Sequence, residues 1–392
     1  MNKKSILKNT ICIMLSIAVI ISMSGCTSFN NSSLKRLLYM EAFGVDMDQE
    51  KGEYSCTTQI FDPMMGAATI QEQDKPITRV IETTGESISA AVAAMTEQIG
   101  RKPYYSQNKV IVIGEEIAKE GITSMTDYFD RDWETRLTMQ VLIGSPDASG
   151  IVKSTLGDVI NPAEELQLIA QAGNVNGRVP ECTVLDIKKA LSDKYTDFCI
   201  PVVKAEGEGE DSKVTVESIA VFKGDKIAGY VPYDDARGVL LLNDEIEKTI
   251  FVIKIKGVGN ASMNIINSKT DLKVNIENDE IVCDVYVKCE ANIPEINIED
   301  DSIEILNEID SIQDECEKQI IKEMDNAAKL TVNEMGCDIY GIGRRLMYNE
   351  RDYWENIKNN WNEEIKNVKF RYHVEAEINR IGETVNQKSK QN

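Results

Sequence analysis

Apart from one apolar run, Ile11 to Ile21, hydrophobic and polar positions alternate throughout this chain at the short periods of strands and helices. Strict alternation predicts strands over Leu37–Asp46 and Glu53–Phe61, joined as a hairpin by the polar turn Asp48-Gln49-Glu50-Lys51-Gly52. Helical spacing follows over 86–99, then an apolar strand over 109–113 that Gly114 ends, a helix from 115 to about 129 and a strand over 137–143. A further helix is expected over 161–172, with Pro162 in its first turn, where a missing N–H costs nothing. Alternation over 214–231 around Lys223-Gly224-Asp225-Lys226 predicts a tight hairpin. Past Ile250 come several strand-like runs, then a long helix over about 300–335. Its apolar positions Ile305, Ile309, Ile312, Cys316, Ile320 and Met324 form one stripe, suited to packing on a sheet more than to a sustained heptad seam. A half-buried strand over 369–380 closes the chain, with Phe370, Tyr372, Val374, Ala376 and Ile378 on one face. Helices and strands interleaved in this way predict an α/β (α+β) layered protein.

The apolar run changes meaning once its flanks are read. Lys3, Lys4 and Lys8 precede it, and Met23-Ser24-Gly25 leads into Cys26, the order of a secretory leader with a small-residue exit. Eleven apolar residues fall well short of the roughly 20 that span a bilayer. Cleavage before Cys26 leaves its thiol at the new N-terminus, where a diacylglyceryl thioether gives two acyl chains and stable anchoring. Residues 1–25 are therefore read as a lipoprotein signal peptide, Cys26 as the lipidation site, and 26–36 as a polar lipidated tether. The 367 residues left of the 392 are enough for more than one core, and 42% hydrophobic residues exclude wholesale disorder. Losing the three leader lysines takes the formal charge from −22 to −25, which argues against electrostatic binding of nucleic acid or anionic lipid by the body as a whole.

Candidate chemistry is sparse. Of nine cysteines, one leaves with the leader and one is Cys26; the remaining seven cannot all pair, and none forms Cys-x-x-Cys. Cys283 and Cys289 lie six apart on one strand-like run, roughly 20 Å from each other on the same face, so they are expected to be buried free thiols. His373 is the one histidine; it falls on the polar side of the closing strand, and no Gly-x-Ser-x-Gly elbow accompanies it. Asp46-x-Asp48 resembles the start of a calcium loop, but Lys51 stands where glycine and Thr57 where glutamate is needed. Gly257-x-Gly259 and Gly341-x-Gly343 lack the third glycine of a dinucleotide fingerprint, and the acidic stretch Glu206–Asp211 reads as a solvated turn. The sequence nominates no catalytic residue, no metal ligand and no cofactor beyond the covalent lipid at Cys26. Tyr104, Tyr105 and Trp133 are candidate contact residues.

Together these residues carry a resemblance. Cys26 is followed by Phe43-Gly44-Val45-Asp46, Tyr105 to Ala118, Tyr128-Phe129-Asp130-Arg131-Asp132 with Arg136, and Ile200-Pro201. Ala220 to Lys226, Ala236-Arg237-Gly238-Val239-Leu240, Cys337 to Gly343 and Trp354 to Trp361 continue the series over nearly the whole mature chain. In this order they resemble the Ger(x)C family, the lipoprotein C subunits of spore germinant receptors. Two departures stand out: Thr27-Ser28 where the family usually has Trp-Asp, and Trp133-Glu134-Thr135 where a proline-containing turn is usual. The resemblance implies about three mixed α/β domains with predominantly antiparallel sheets and no enzymatic activity. They are expected at 37–178, at 179–255 as a small middle domain, and at 256–385 with the long helix. It also implies a place on the outer face of the spore inner membrane, beside integral-membrane A and B subunits of a receptor needed for nutrient-triggered germination. A solute-binding lipoprotein feeding an importer is the alternative, and it requires a deep cleft between two similar lobes.

Overall fold

The computed structural model describes residues 37–61, 78–131, 135–154, 156, 161–207, 212–255, 259–298 and 308–381. The leader, Cys26, the tether, Trp133, Gly257, most of the acidic glycine stretch and the first turns of the expected long helix lie outside them.

The opening hairpin is as the alternation predicts: β1 (Leu37–Asp48) pairs antiparallel with β2 (Glu53–Phe61). Its turn is closed by Asp48, whose Oδ1 accepts from the backbone N–H groups of Glu50 and Lys51. β3 (Thr78–Gly85) adds to β2, and α1 (Ile88–Ile99) follows, capped by the Ser87 hydroxyl at one end and by Gly100 in the left-handed region at the other. β4 (Lys102–Tyr104) and β5 (Val110–Gly114) run parallel to β1. The single helix expected over 115–129 is instead two, α2 (Glu115–Glu120) and α3 (Thr123–Arg131). The break comes at Gly121, whose φ of 136° no helix accommodates, and the next N–H, on Ile122, donates to the carbonyl of Asp225 in a distant turn. This is a tertiary bond that helical periodicity does not encode.

β6 (Gln140–Ser145), α4 (Ala148–Lys153), α5 (Pro162–Ala170), α6 (Gly173–Asn176) and α7 (Val184–Ser192) lead to β7 (Phe198–Glu206), β8 (Lys213–Lys223) and β9 (Lys226–Pro232). These strands form one sheet of nine, ordered β3-β2-β1-β5-β6-β7-β8-β9 with β4 beside β1, parallel in the centre and antiparallel at both wings. The sheet is continuous across position 178/179, so the strands expected in a middle domain and those before them share one hydrogen-bonded array. After α8 (Ala236–Leu242), a second sheet of four is built from β10 (Thr249–Ile255), β11 (Gly259–Glu277), β12 (Glu280–Ile298) and the closing β13 (Lys369–Ile381). Between β12 and β13 run α9 (Ile309–Ala328), α10 (Ile342–Asn349), α11 (Arg351–Ile357) and α12 (Trp361–Glu364). α9 does not stay α-helical to Met335: residues 329–334 continue as π-helix, where the Thr331 hydroxyl donates to the carbonyl of Ala327. The fold is thus mixed α/β, with antiparallel pairings outnumbering parallel ones.

β8 joins the two halves. Its Ala220 and Phe222 point into the core beneath α1, α3 and α7, while Ile219 and Val221 point into a second core shared by α8, α9 and the four-stranded sheet. A strand buried on both faces reads as a continuous apolar run, as Ile219-Ala220-Val221-Phe222 does. On the second core's side, α8 lies so close to α9 that a Cβ on Gly238 would stand 2.0 Å from the carbonyl oxygen of Glu323. Gly238→Ala is therefore expected to force the helices apart and destabilise the protein by about 1–3 kcal/mol, read as a lower urea midpoint.

Candidate functional site

Several of the described residues that carry the resemblance land at joints of this fold. Phe43 stands edge-on to Tyr105 and Phe129, at ring separations of 6.2 and 5.6 Å, and Tyr105 is buried with its hydroxyl bonded to that of Tyr128. Tyr105 is thus a core residue and not a contact surface; Tyr104 is half-buried, edge-on to Tyr39 at 5.8 Å. Asp46 accepts the first N–H groups of α4, from Ala148 at 2.7 Å and Ser149 at 2.9 Å, and burial raises its pKa. Both its oxygens are spent on a helix N-terminus, which accounts for the aspartate without calcium.

The second joint is a polar seam between the nine-stranded sheet and the C-terminal helices. Asp197, just before β7, accepts from Lys223 Nζ at 2.9 Å, from the Gly224 N–H at 3.2 Å and from the Asp338 N–H at 2.8 Å. Asp338 is itself buried, accepting from Ile342 N at 2.8 Å and Gly343 N at 2.7 Å at the start of α10, and desolvation pushes its pKa up to about 6. Gly343 is needed there because a Cβ would meet the Trp361 ring at 2.9 Å. Arg344, one residue on, pairs with Asp193 across the same seam. A cleft of about 400 Å³ opens beside it, lined by Tyr195, Asp197, Lys223, Lys358, Trp361 and Asn362. A second, more open cleft of about 630 Å³ lies between β2, the start of α1 and α3, where Tyr54, Ser87, Lys102, Tyr128 and Arg131 converge.

The third joint is Arg237, on α8 and 4% exposed. Its Nε and Nη2 each lie 2.6 Å from a carboxylate oxygen of Glu323 on α9, its Nη1 donates to the Ile250 carbonyl, and its guanidinium sits 3.6 Å over the Phe251 ring. Sequence reasoning did not single out this pair. The available signal was a charged residue inside the apolar stretch Ala236 to Leu242.

His373 lies on the exposed face of the four-stranded sheet, its Nε2 3.0 Å from Asp284 and its ring stacked on Tyr286 at 4.6 Å. Arg371 holds the same carboxylate from two nitrogens, and that guanidinium, then His373, keeps Asp284 down at about 2. This is an ion-pair ladder across β12 and β13. Cys283 and Cys289 are buried and unbonded to each other, as expected of them, with Cys56, Cys182, Cys199, Cys316 and Cys337 also free. Burial pushes the thiols of Cys56, Cys283, Cys289, Cys316 and Cys337 up to about 12, far from the thiolate that reacts. Among the described residues no cluster of His, Cys, Asp and Glu is placed to hold a metal ion. The two sheets, nine mixed strands and four, are not the similar lobes that a solute-binding lipoprotein requires.

Comparison with known proteins gives these motifs a context. Residues 30–205 match the family described as "Spore germination protein N-terminal domain", and residues 217–382 match "Spore germination B3/ GerAC like, C-terminal". The chain is 24% identical to spore germination protein KC of Bacillus subtilis (strain 168), over 88% of this chain and 89% of that one. It is 20% identical to spore germination protein B3 of the same organism, over 93% and 96%, and 20% identical to GerQC of Bacillus cereus, over 78% and 84%. The fold is similar to that of the GerBC crystal structure, with a TM-score of 0.57 at 18% identity, covering 86% of this chain and 96% of that one. The chain belongs to the GerAC-like family of spore germination proteins.

Proposed function

We propose, with membership of that family as the premise, that this protein is the C subunit of a nutrient germinant receptor. In this reading Cys26 carries the diacylglyceryl group, the tether over 26–36 leads to the folded body, and the body stands on the outer face of the spore inner membrane. Its partners are the integral-membrane A and B subunits, and its role is non-catalytic, with no cofactor besides the lipid. The observation that carries the reading is the pair of family matches, which between them span 30–382 with one short gap. Other features agree with it. No described helix is long and apolar enough to cross a membrane. Two acyl chains hold a body stably, and confinement to a thin layer raises its effective concentration for membrane-embedded partners, so that weak contacts suffice.

Cys26→Ala tests the anchorage. The variant is expected to take up no labelled palmitate and to move from the membrane pellet to the soluble fraction of spore extracts, a fall of about tenfold or more in the pellet. Spores carrying only this variant are expected to respond weakly to nutrients. Unchanged pelleting would refute the anchorage. Recovery of the wild-type chain from spore membranes without any multi-spanning protein would refute the receptor assembly.

A further inference from the structure

The turn between α7 and β7, Asp193-Lys194-Tyr195-Thr196-Asp197, carries a charge at three of its five positions, and it meets the C-terminal helices across the seam described above. Asp193 accepts from the Tyr195 N–H, the Thr196 hydroxyl and Arg344. Asp197 accepts from the Gly224 N–H, from Lys223 and from the Asp338 N–H. Every carboxylate oxygen of the turn is thus committed to holding the seam together.

The donors beside them are less fully used. Lys194 is exposed, its ammonium 5.8 Å from the centre of the Tyr195 ring, and among the described residues no carboxylate pairs with it. Lys358, between α11 and α12, pairs with Glu355, a single carboxylate for a group with three N–H donors. Trp361, 3% exposed, lines the same cleft, and its indole N–H has no hydrogen-bond partner among the described residues.

Of the two clefts described above, this is the one walled by both halves of the molecule. Residues 190–197 and 223–224 come from the side of the nine-stranded sheet, and residues 358–362 from the C-terminal helices. Its volume of about 400 Å³ is that of a small-molecule site, and such sites favour the junctions between structural units. Lys194, Lys223 and Lys358 line it against Asp193 and Asp197, and Arg344 already neutralises Asp193. On a chain of formal charge −22 this is a locally cationic recess whose unused hydrogen-bonding capacity is for donating. Tyr195 and Trp361 add flat apolar surface to it.

We propose that this cleft binds a small organic anion, a carboxylate or phosphate head on a flat apolar body, with the head at Lys194 and Lys358 and the body against Tyr195 and Trp361. The site goes beyond the receptor reading and does not depend on it. Because its walls come from both halves, an occupant ties the first sheet to the C-terminal helices beside the bridge that Asp197 and Asp338 already make.

The test uses the full-length protein in detergent micelles, with empty micelles as the blank, and follows benzoate, phenyl phosphate and neutral benzamide by ligand-observed NMR. At least one of the two anions is expected to bind with a Kd of about 1–10 mM, the range open to a probe of roughly ten heavy atoms, and benzamide about fivefold more weakly or worse. Comparing the two anions tells which head the cleft takes. Lys194→Gln and Lys358→Gln, at positions that are not buried, are each expected to weaken the anion about threefold and to leave benzamide unchanged. Lys288→Gln, on the exposed face of the four-stranded sheet, is expected to change nothing. Binding of neither anion at about 20 mM, benzamide binding as tightly as the anions, or cleft variants that behave like Lys288→Gln overturns the proposal.

Discussion

Arg237→Ala is expected to lower the unfolding free energy by about 3–5 kcal/mol, because it leaves the Glu323 carboxylate charged, buried and facing an empty space. The arginine and the glutamate are 5% and 7% exposed at their side chains, so solvent cannot take over the lost partner. The same change removes the cation from the Phe251 face and one donor from the Ile250 carbonyl. Urea unfolding followed by tryptophan emission reads this directly, since Trp354 and Trp361 share the core that α8 and α9 close. Replacing both partners by apolar residues, Arg237→Met with Glu323→Leu, is expected to restore most of the loss, because the desolvation of two charges is then avoided. A single variant as stable as the wild type would show that the pair contributes nothing to the joint between the halves.

The second large effect is a pH dependence. The Asp338 carboxyl holds its proton up to about pH 6 in the folded protein, because burial penalises its charge, whereas in the unfolded chain it ionises near 3.9. Between those values the folded state binds more protons than the unfolded state. The contribution of this group is thus fully present below about pH 4 and is lost as pH rises through 6, and it amounts to about 3 kcal/mol over that window. Asp338→Asn has no proton to lose, so the stability of the wild type relative to this variant is expected to fall by that amount between pH 4 and pH 7. Asp284 works in the opposite sense: its folded pKa of about 2 gives stability that is present above pH 4 and disappears as pH falls through 2. Denaturant curves of both proteins at closely spaced pH values separate the two, and a flat difference between pH 4 and 7 would contradict the assignment to Asp338.

The opening hairpin, the β8–β9 turn and the closing β13 were legible because each is decided by residues close in sequence. Alternation places side chains on two faces, and Asp48 satisfies backbone groups within a few positions. The pattern behind the proposed lipoprotein leader is local in the same way, being one of charge, apolarity and small residues close in sequence. The joints were not legible. Arg237 and Glu323 are 86 residues apart, Asp197 and Asp338 141 apart, and Asp46 reaches 102 residues to cap α4. The break at Gly121 belongs with them, since the N–H that leaves the helix does so for a carbonyl on the β8–β9 turn.

What the amino-acid order alone determined is therefore the identity of most elements and the resemblance to a spore-germination family, together with the leader-like pattern on which the proposed anchor rests. What the tertiary structure alone decided is that β7 to β9 join the first sheet, that β8 faces two cores, and that buried charges pin the two halves together. The division has one cause. Local patterns are set by steric and hydrogen-bonding choices among near neighbours, while a charge in an apolar helix or an aspartate before a glycine acquires its meaning only when distant chain brings the partner that makes its burial tolerable.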